Sequence, residues 1–157
     1  VKVGRLTCSD RASAGIYDDA GGPEIERVFA GIWPEPVEFV AKIIPDDVAE
    51  IEAALRHLSD DIGCPLIITT GGTGFAARDV TPEATRAVLQ KELPGFGEIM
   101  RTQSFAQAPT SILSRATAGV RGRSLIINLP GNPKAIAQCL PPLMPAIREA
   151  LRHLQES

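Results

Sequence analysis

A chain of 157 residues, 44% of them hydrophobic, can bury one substantial core, and a single domain spanning residues 1–157 is expected. A net charge of −3, with 16 Lys and Arg residues scattered rather than clustered, excludes the basic footprint of a nucleic-acid binder; 4% aromatics excludes stacking platforms for single strands. No apolar run reaches the roughly 20 residues of a membrane span, so no membrane partner is expected.

Strands and helices alternate along the chain. Val1 to Leu6 reads as a first strand, with Cys8-Ser9-Asp10-Arg11 at its carboxyl end. No signal peptide precedes it, which predicts a cytoplasmic protein, and the opening at Val1 without a Met suggests that a few residues are missing. Pro23 opens a helix to about Ile32, with Ile25, Val28, Phe29 and Ile32 on one face. Val37 to Ile44 is a second strand, closed by Pro45-Asp46-Asp47. A second helix carries Val48, Ile51, Leu55 and Leu58 at helical spacing and ends near Gly63. Leu66-Ile67-Ile68, short and wholly apolar, suits a central parallel strand covered on both faces. It leads into a glycine-rich loop, after which helices are predicted over residues 82–92 and 97–105. Ala116 to Val120 reads as a short edge strand and Ser124 to Leu129 as another strand. The last helix starts at Pro133 and carries Ile136, Leu140, Leu143, Ile147, Leu151 and Leu154; Pro141, Pro142 and Pro145 should kink or split it.

This alternation predicts an α/β protein, a three-layer α/β/α sandwich around a mostly parallel sheet. Ligands of such sheets bind beyond the carboxyl ends of the strands, at a topological switch point. Four loops qualify: Ser9-Asp10-Arg11, Pro45-Asp46, residues 70–79 and Pro130-Gly131-Asn132.

Glycines at Gly71, Gly72 and Gly74 remove side chains that would keep a phosphate from the backbone N–H groups. An ordinary strand-to-helix turn remains the plainer reading. Thr81 as N-cap and Pro82 at the first helical position mark a helix start nearby, which favours anions. Asn132 and Pro133 have the same form, and Lys134 in the first turn either points to solvent or meets an anion held there. Asp47-Val48-Ala49-Glu50 has capping-box spacing, which gives Asp47 a structural duty and leaves Asp46 free. Asp46 and Asp79, unengaged carboxylates beside a phosphate cradle, suit Mg²⁺, which takes one or two carboxylates and completes its shell with water and phosphate oxygens. Cys8, Cys64 and Cys139 share no metal-ligand spacing and read as small buried hydrophobes in a reducing compartment; His57 and His153 read as solvated helix positions.

Taken together the loops are more specific. Ser9-Asp10-Arg11-Ala12-Ser13 with Gly15, Tyr17 and Asp19, then Ile44-Pro45-Asp46, Thr70-Gly71-Gly72-Thr73-Gly74 and Arg78-Asp79-Val80-Thr81-Pro82-Glu83-Ala84-Thr85 closely resemble the molybdopterin adenylyltransferase family. The match continues through Pro94-Gly95-Phe96-Gly97-Glu98, Leu113-Ser114-Arg115, Ala118-Gly119 and Leu129-Pro130-Gly131-Asn132-Pro133-Lys134, in order and over nearly the whole chain. The resemblance implies a MoaB/Mog-like fold, a homotrimer, and an enzyme that joins AMP from ATP to the terminal phosphate of molybdopterin, releasing pyrophosphate with the aid of Mg²⁺. It implies Asp46 and Asp79 as the catalytic, metal-binding pair. Substrate- and nucleotide-binding roles are implied for Ser9, Asp10, Arg11, Gly71, Gly72, Thr73, Gly74, Ser114, Pro130, Gly131, Asn132 and Lys134. The product would pass to a molybdenum insertase. Relatives of the same fold that lack transferase activity often vary the segments that stand here as Ser9-Asp10-Arg11 and Arg78 to Pro82; this chain keeps both. Two rivals stay open: a non-catalytic molybdopterin carrier or scaffold, and a generic nucleotide-binding protein, the latter disfavoured by the lack of a Walker A loop or a Gly-x-Gly-x-x-Gly fingerprint.

Overall fold

Alternation along the strands sends successive side chains to opposite faces of one six-stranded sheet, and that alternation builds two cores in the computed structural model, which describes residues 1–157. The strands are β1 (Lys2–Cys8), β2 (Glu38–Ile44), β3 (Leu66–Thr70), β4 (Lys91–Glu92), β5 (Ala118–Arg121) and β6 (Ser124–Leu129), in the spatial order β2-β1-β3-β6-β5-β4. β2, β1, β3 and β6 run parallel; β5 and β4 are antiparallel additions at one side. The principal helices are α1 (Asp10–Ser13), α2 (Gly21–Ile32), α3 (Val48–Arg56), α4 (Thr81–Val88), α5 (Gly95–Ser104), α6 (Pro133–Cys139) and α7 (Met144–Glu156).

On one face Val3, Leu66, Ile68, Leu125, Ile127 and Leu129 pack against α2, α5, α6 and α7 through Ile25, Phe29, Met100, Ile136 and Ile147. On the other, Leu6, Cys8, Ile67 and Ile126 pack against α3 and α4 through Ile51, Leu55, Ala84 and Val88. Two helical layers over a mostly parallel sheet are the predicted three-layer sandwich. All five residues of β3 are buried, so the glycine loop springs from a strand packed on both faces. No helix is long and apolar enough to cross a membrane.

Several local expectations change. The helix predicted over residues 82–92 ends at Val88, because Leu89 turns extended and Gln90 to Leu93 pair with the sheet, Gln90 N donating to Val120 O at 2.8 Å and Leu93 N to Ala118 O at 2.7 Å. β4 thereby covers β5, which is not the edge strand. Thr81 does not cap α4: Val80 holds the cap position, and Thr81, fully buried, is the first helical residue with its hydroxyl turned inward. Asp47 does cap α3, accepting from Glu50 N at 3.0 Å, but the reciprocal half of the capping box is missing, since Asp47 N donates to Pro45 O instead. α2 starts two residues before Pro23. The last helix is split where the prolines predicted, into α6, a 3₁₀ turn over Pro141–Leu143, and α7.

Candidate active site

Because β1, β2, β3 and β6 are parallel, their carboxyl ends, and hence all four candidate loops, lie along one edge of the sheet. The chain departs from β1 toward β2 on one side and toward β3 on the other, so the switch point falls between β1 and β3. A cleft of about 390 Å³ opens there, with Ser9, Asp46, Gly71, Gly72, Asp79 and Gly131 in its wall.

The β1 and β2 loops are sewn together reciprocally. Asp10 N donates to Asp46 Oδ2 and Asp46 N to Asp10 Oδ1, each at 3.0 Å. Arg78 reaches across from the third loop and forks onto Asp10, Nε to Oδ2 at 3.0 Å and Nη2 to Oδ1 at 2.9 Å. These hydrogen bonds hold the Asp10 carboxyl below its ordinary range and raise Arg78 in turn. Ser9 caps α1 by accepting from Ala12 N, and its hydroxyl also meets Tyr17 Oη at 2.9 Å.

The cradle depends on two glycines in the left-handed region, Gly71 at φ 93° and Gly72 at φ 69°. A Cβ on Gly71 would collide with the Cys8 carbonyl, and one on Gly72 with Thr81 Oγ1 while standing 3.2 Å from Asp46 Oδ1. Behind the cradle Thr70 Oγ1 donates to Pro130 O at 2.8 Å, which pins the last loop to β3. Asn132 then caps α6, accepting from Lys134 N at 2.9 Å.

Two oxygens beside Gly72 have no partner: Asp46 Oδ1 and Thr81 Oγ1, both inaccessible to solvent. Burial raises the Asp46 carboxyl; the Asp10 N–H opposes the rise, and the negative charges of Asp10 and Asp79 add to it. Buried polar groups without partners are rare enough in folded proteins to point to a missing counterpart. Asp79 is tethered only through Oδ2, which accepts from Ala76 N at 3.0 Å. Neither of its oxygens meets Arg78. Cys8, under the cradle, is pushed up to about 12 by burial and stays a neutral thiol. No group of three or more His, Cys, Asp and Glu side chains is arranged to hold a metal, so a cation here would depend on two carboxylates plus water and ligand oxygens.

The remaining candidates do not line this cleft. Ser114, Pro130 and Asn132 line a neighbouring cavity of about 250 Å³, floored by Met100 and Cys139, so the Pro130–Asn132 loop separates two hollows. Thr73 is buried, and the Thr73 and Gly74 carbonyls face Arg115 rather than the cleft. Arg11 and Lys134 are exposed, and neither side chain has a hydrogen-bond or ionic partner. Three residues escaped the sequence reading as parts of the site. Arg115 braces the glycine loop from 41 residues away along the chain. Thr81 turns its hydroxyl inward. Asp19, on the segment that carries Tyr17, is gripped by Arg5 Nη1 at 2.8 Å, by Thr7 Oγ1 and by Gly22 N. Asp19 and Arg115 both stand within the motifs that carry the family resemblance, which was the available signal; no local spacing gave either of them a role.

A doubly wound sheet with a glycine cradle and an acidic pair at its switch point defines an α/β ligand-binding domain, and the family model described as "probable molybdopterin binding domain" matches residues 4–149. The molybdopterin adenylyltransferase of Helicobacter pylori is 52% identical over 94% of this chain and 84% of its own length, and that of Escherichia coli K12 is 48% identical over 89% and 72%. The chain belongs to the molybdopterin adenylyltransferase family. Its fold is similar to that of the molybdopterin biosynthesis enzyme MoaB of Thermus thermophilus (TM-score 0.90, 43% identity, 99% of this chain and 97% of that one) and of the Mog protein of Mycobacterium ulcerans (TM-score 0.87, 35% identity, 98% of each).

Proposed function

We propose that this chain transfers the adenylyl group of ATP to the phosphate of molybdopterin, with the nucleotide phosphates in the Gly71–Gly74 cradle and Asp46 and Asp79 holding Mg²⁺ beside them. A phosphate oxygen of molybdopterin attacks the α-phosphorus of ATP; the bond from that phosphorus to the bridging oxygen breaks, and pyrophosphate leaves with its electrons. The attacking phosphate is already anionic and needs no base, so the work falls to alignment and to charge neutralisation. A divalent cation bound by the two carboxylates would offset the charge that accumulates on the departing pyrophosphate. The chain's own groups do the rest: backbone N–H groups of the cradle take phosphate oxygens, and Arg11 and Lys134, exposed cations without partners, are the groups assigned to further anionic parts of the substrates.

The observation that carries this reading is the desolvated, unpartnered Oδ1 of Asp46 next to a glycine that admits no Cβ. The fit to a cation rests on that atom and on the free oxygen of Asp79. The two hollows on either side of Pro130–Asn132 suit a substrate pair, nucleotide in the larger and pterin in the smaller. The curated relatives carry the adenylyltransferase name over most of this chain's length, which supports the same reaction here. A homotrimer, delivery of the product to a molybdenum insertase and a cytoplasmic setting complete the proposal; the three free, buried cysteines suit a reducing compartment. Adenylyl transfer from ATP to molybdopterin, followed by pyrophosphate release with and without a chelator, tests the reaction. Light scattering tests the assembly, with a mass near three chains of 16.7 kDa expected.

A further inference from the structure

Asp79 sits at the end of a stretch, residues 74–79, that belongs to no strand or helix, yet the proposed chemistry needs its carboxylate at a fixed place opposite Asp46. Its own tether, to Ala76 N, lies inside the same loop and cannot fix the loop relative to anything else. Arg115 does. Its guanidinium donates from Nε to Gly74 O at 2.7 Å and from Nη2 to Asp79 O at 2.9 Å, and it forks onto the Glu83 carboxylate, with Nη2 3.1 Å from Oε1 and Nη1 on Oε2. Its backbone N–H adds a bond to Thr73 O at 2.8 Å. One side chain thus ties both ends of the loop to each other and to the first turn of α4, the helix that presents Thr81.

We propose that Arg115 is a positioning residue of the nucleotide site: by gripping the Gly74 and Asp79 carbonyls against Glu83, opposite the Arg78–Asp10 fork, it sets where the Asp79 carboxylate stands relative to Asp46 and the cradle. The inference rests on the metal and nucleotide roles given above to Asp46, Asp79 and residues 71–74. A planar fork is required, because these acceptors are taken from three separate nitrogens, Nε, Nη1 and Nη2, whereas a Lys ammonium gathers its three donors on one atom and cannot span them. Arg115 also follows Ser114 directly, so the segment that walls the smaller hollow is the one that holds the rim of the larger. Positioning errors of about 1 Å cost on the order of a hundredfold in rate, which sets the scale expected of its loss.

The test compares wild type with Arg115→Lys, Arg115→Ala and Glu83→Gln. Each is titrated with Mn²⁺ in the presence of a non-hydrolysable ATP analogue, the bound ion being counted by electron paramagnetic resonance; turnover and melting temperature are read on the same samples. Loss of the fork should weaken Mn²⁺–nucleotide binding about tenfold or more and slow turnover by about ten- to a hundredfold in both Arg115 variants. Glu83→Gln should fall between these and wild type, and free guanidinium should partly restore Arg115→Ala. Should Arg115→Ala fail to fold, Arg115→Lys, which keeps the stem and the charge, decides. Unchanged Mn²⁺ affinity and turnover in a folded Arg115 variant would overturn the proposal, as would a lower melting temperature with normal Mn²⁺ affinity. A wild-type protein that binds no Mn²⁺–nucleotide at all would instead sink the functional reading beneath it.

Discussion

Replacing Asp46 by asparagine separates the cost of the site from its use. The carboxylate's Oδ2 accepts from Asp10 N at 3.0 Å, and an amide oxygen can keep that bond. Its Oδ1 is buried without a donor, in a setting where burial and two neighbouring carboxylates already raise the group. An unsatisfied buried acceptor typically costs about 1–3 kcal/mol. The Asp46→Asn change removes the charge and offers an amide donor on the side of Thr81 Oγ1, so stability should be unchanged or higher. About 1 kcal/mol corresponds to a rise of roughly 2–4 °C in a protein of this size. Turnover should move the other way. Losing one of two carboxylates that hold the cation should slow adenylyl transfer by about two to four orders of magnitude, or about 3–5 kcal/mol in the barrier. Differential scanning fluorimetry and pyrophosphate release on the same preparation read both effects. A variant that melts several degrees lower, or that turns over near the wild-type rate, would show that Asp46 serves the scaffold and that its free oxygen has no ligand.

Asp79→Asn keeps an acceptor for Ala76 N, so it should melt normally while losing about two to four orders of magnitude in turnover and retaining molybdopterin binding; a lower melting temperature with normal turnover would make Asp79 a brace. Asp47→Asn should stay active, since asparagine caps a helix as well as aspartate does. Arg11→Ala should weaken ligand binding, measured by calorimetry, with little change in melting temperature, because the side chain has no intramolecular partner to lose. On acidification, Asp10 and Glu83, held below their ordinary values near 3.8 and 4.5 by Arg78 and Arg115, contribute stability above those values that is lost as pH falls through their lowered ones. Asp46, raised, works in the opposite sense and is relieved as it protonates, so the melting temperature should fall only below about pH 4.5, and Glu83→Gln should flatten that fall.

What was legible in the sequence was local. The apolar runs Leu66–Ile68 and Leu125–Ile127 identified the central strands, because neighbouring side chains there meet different helical layers and neither face can be polar. Asp47 and Asn132 were readable as caps because their bonds close within three residues. The proline break after Leu140 followed from a missing N–H. What was not legible depended on distant partners. Lys91 and Glu92 form a strand only because β5 lies beside them, and nothing in two charged residues announces it. Thr81 has the composition of a cap, but packing between Gly72 and the α4 core turns its hydroxyl inward. For Asp10 the sequence offered a ligand-binding role; its carboxylate pairs with Arg78, 68 residues on. The loops that converge on the cleft were therefore readable, while the side-chain struts that tie them together were not.

Adenylyl transfer in the cleft between Asp46 and Asp79 is open to one direct measurement. The purified chain is incubated with molybdopterin and ATP labelled at the α-phosphate, and labelled adenylylated molybdopterin and free pyrophosphate are quantified together. Equimolar product and pyrophosphate are expected from the wild type, abolished by chelator and reduced by about two orders of magnitude or more in Asp46→Asn. Tight molybdopterin binding without label transfer or pyrophosphate, under conditions in which the chain is folded and Mg²⁺ is present, would contradict this and leave a carrier in place of an enzyme.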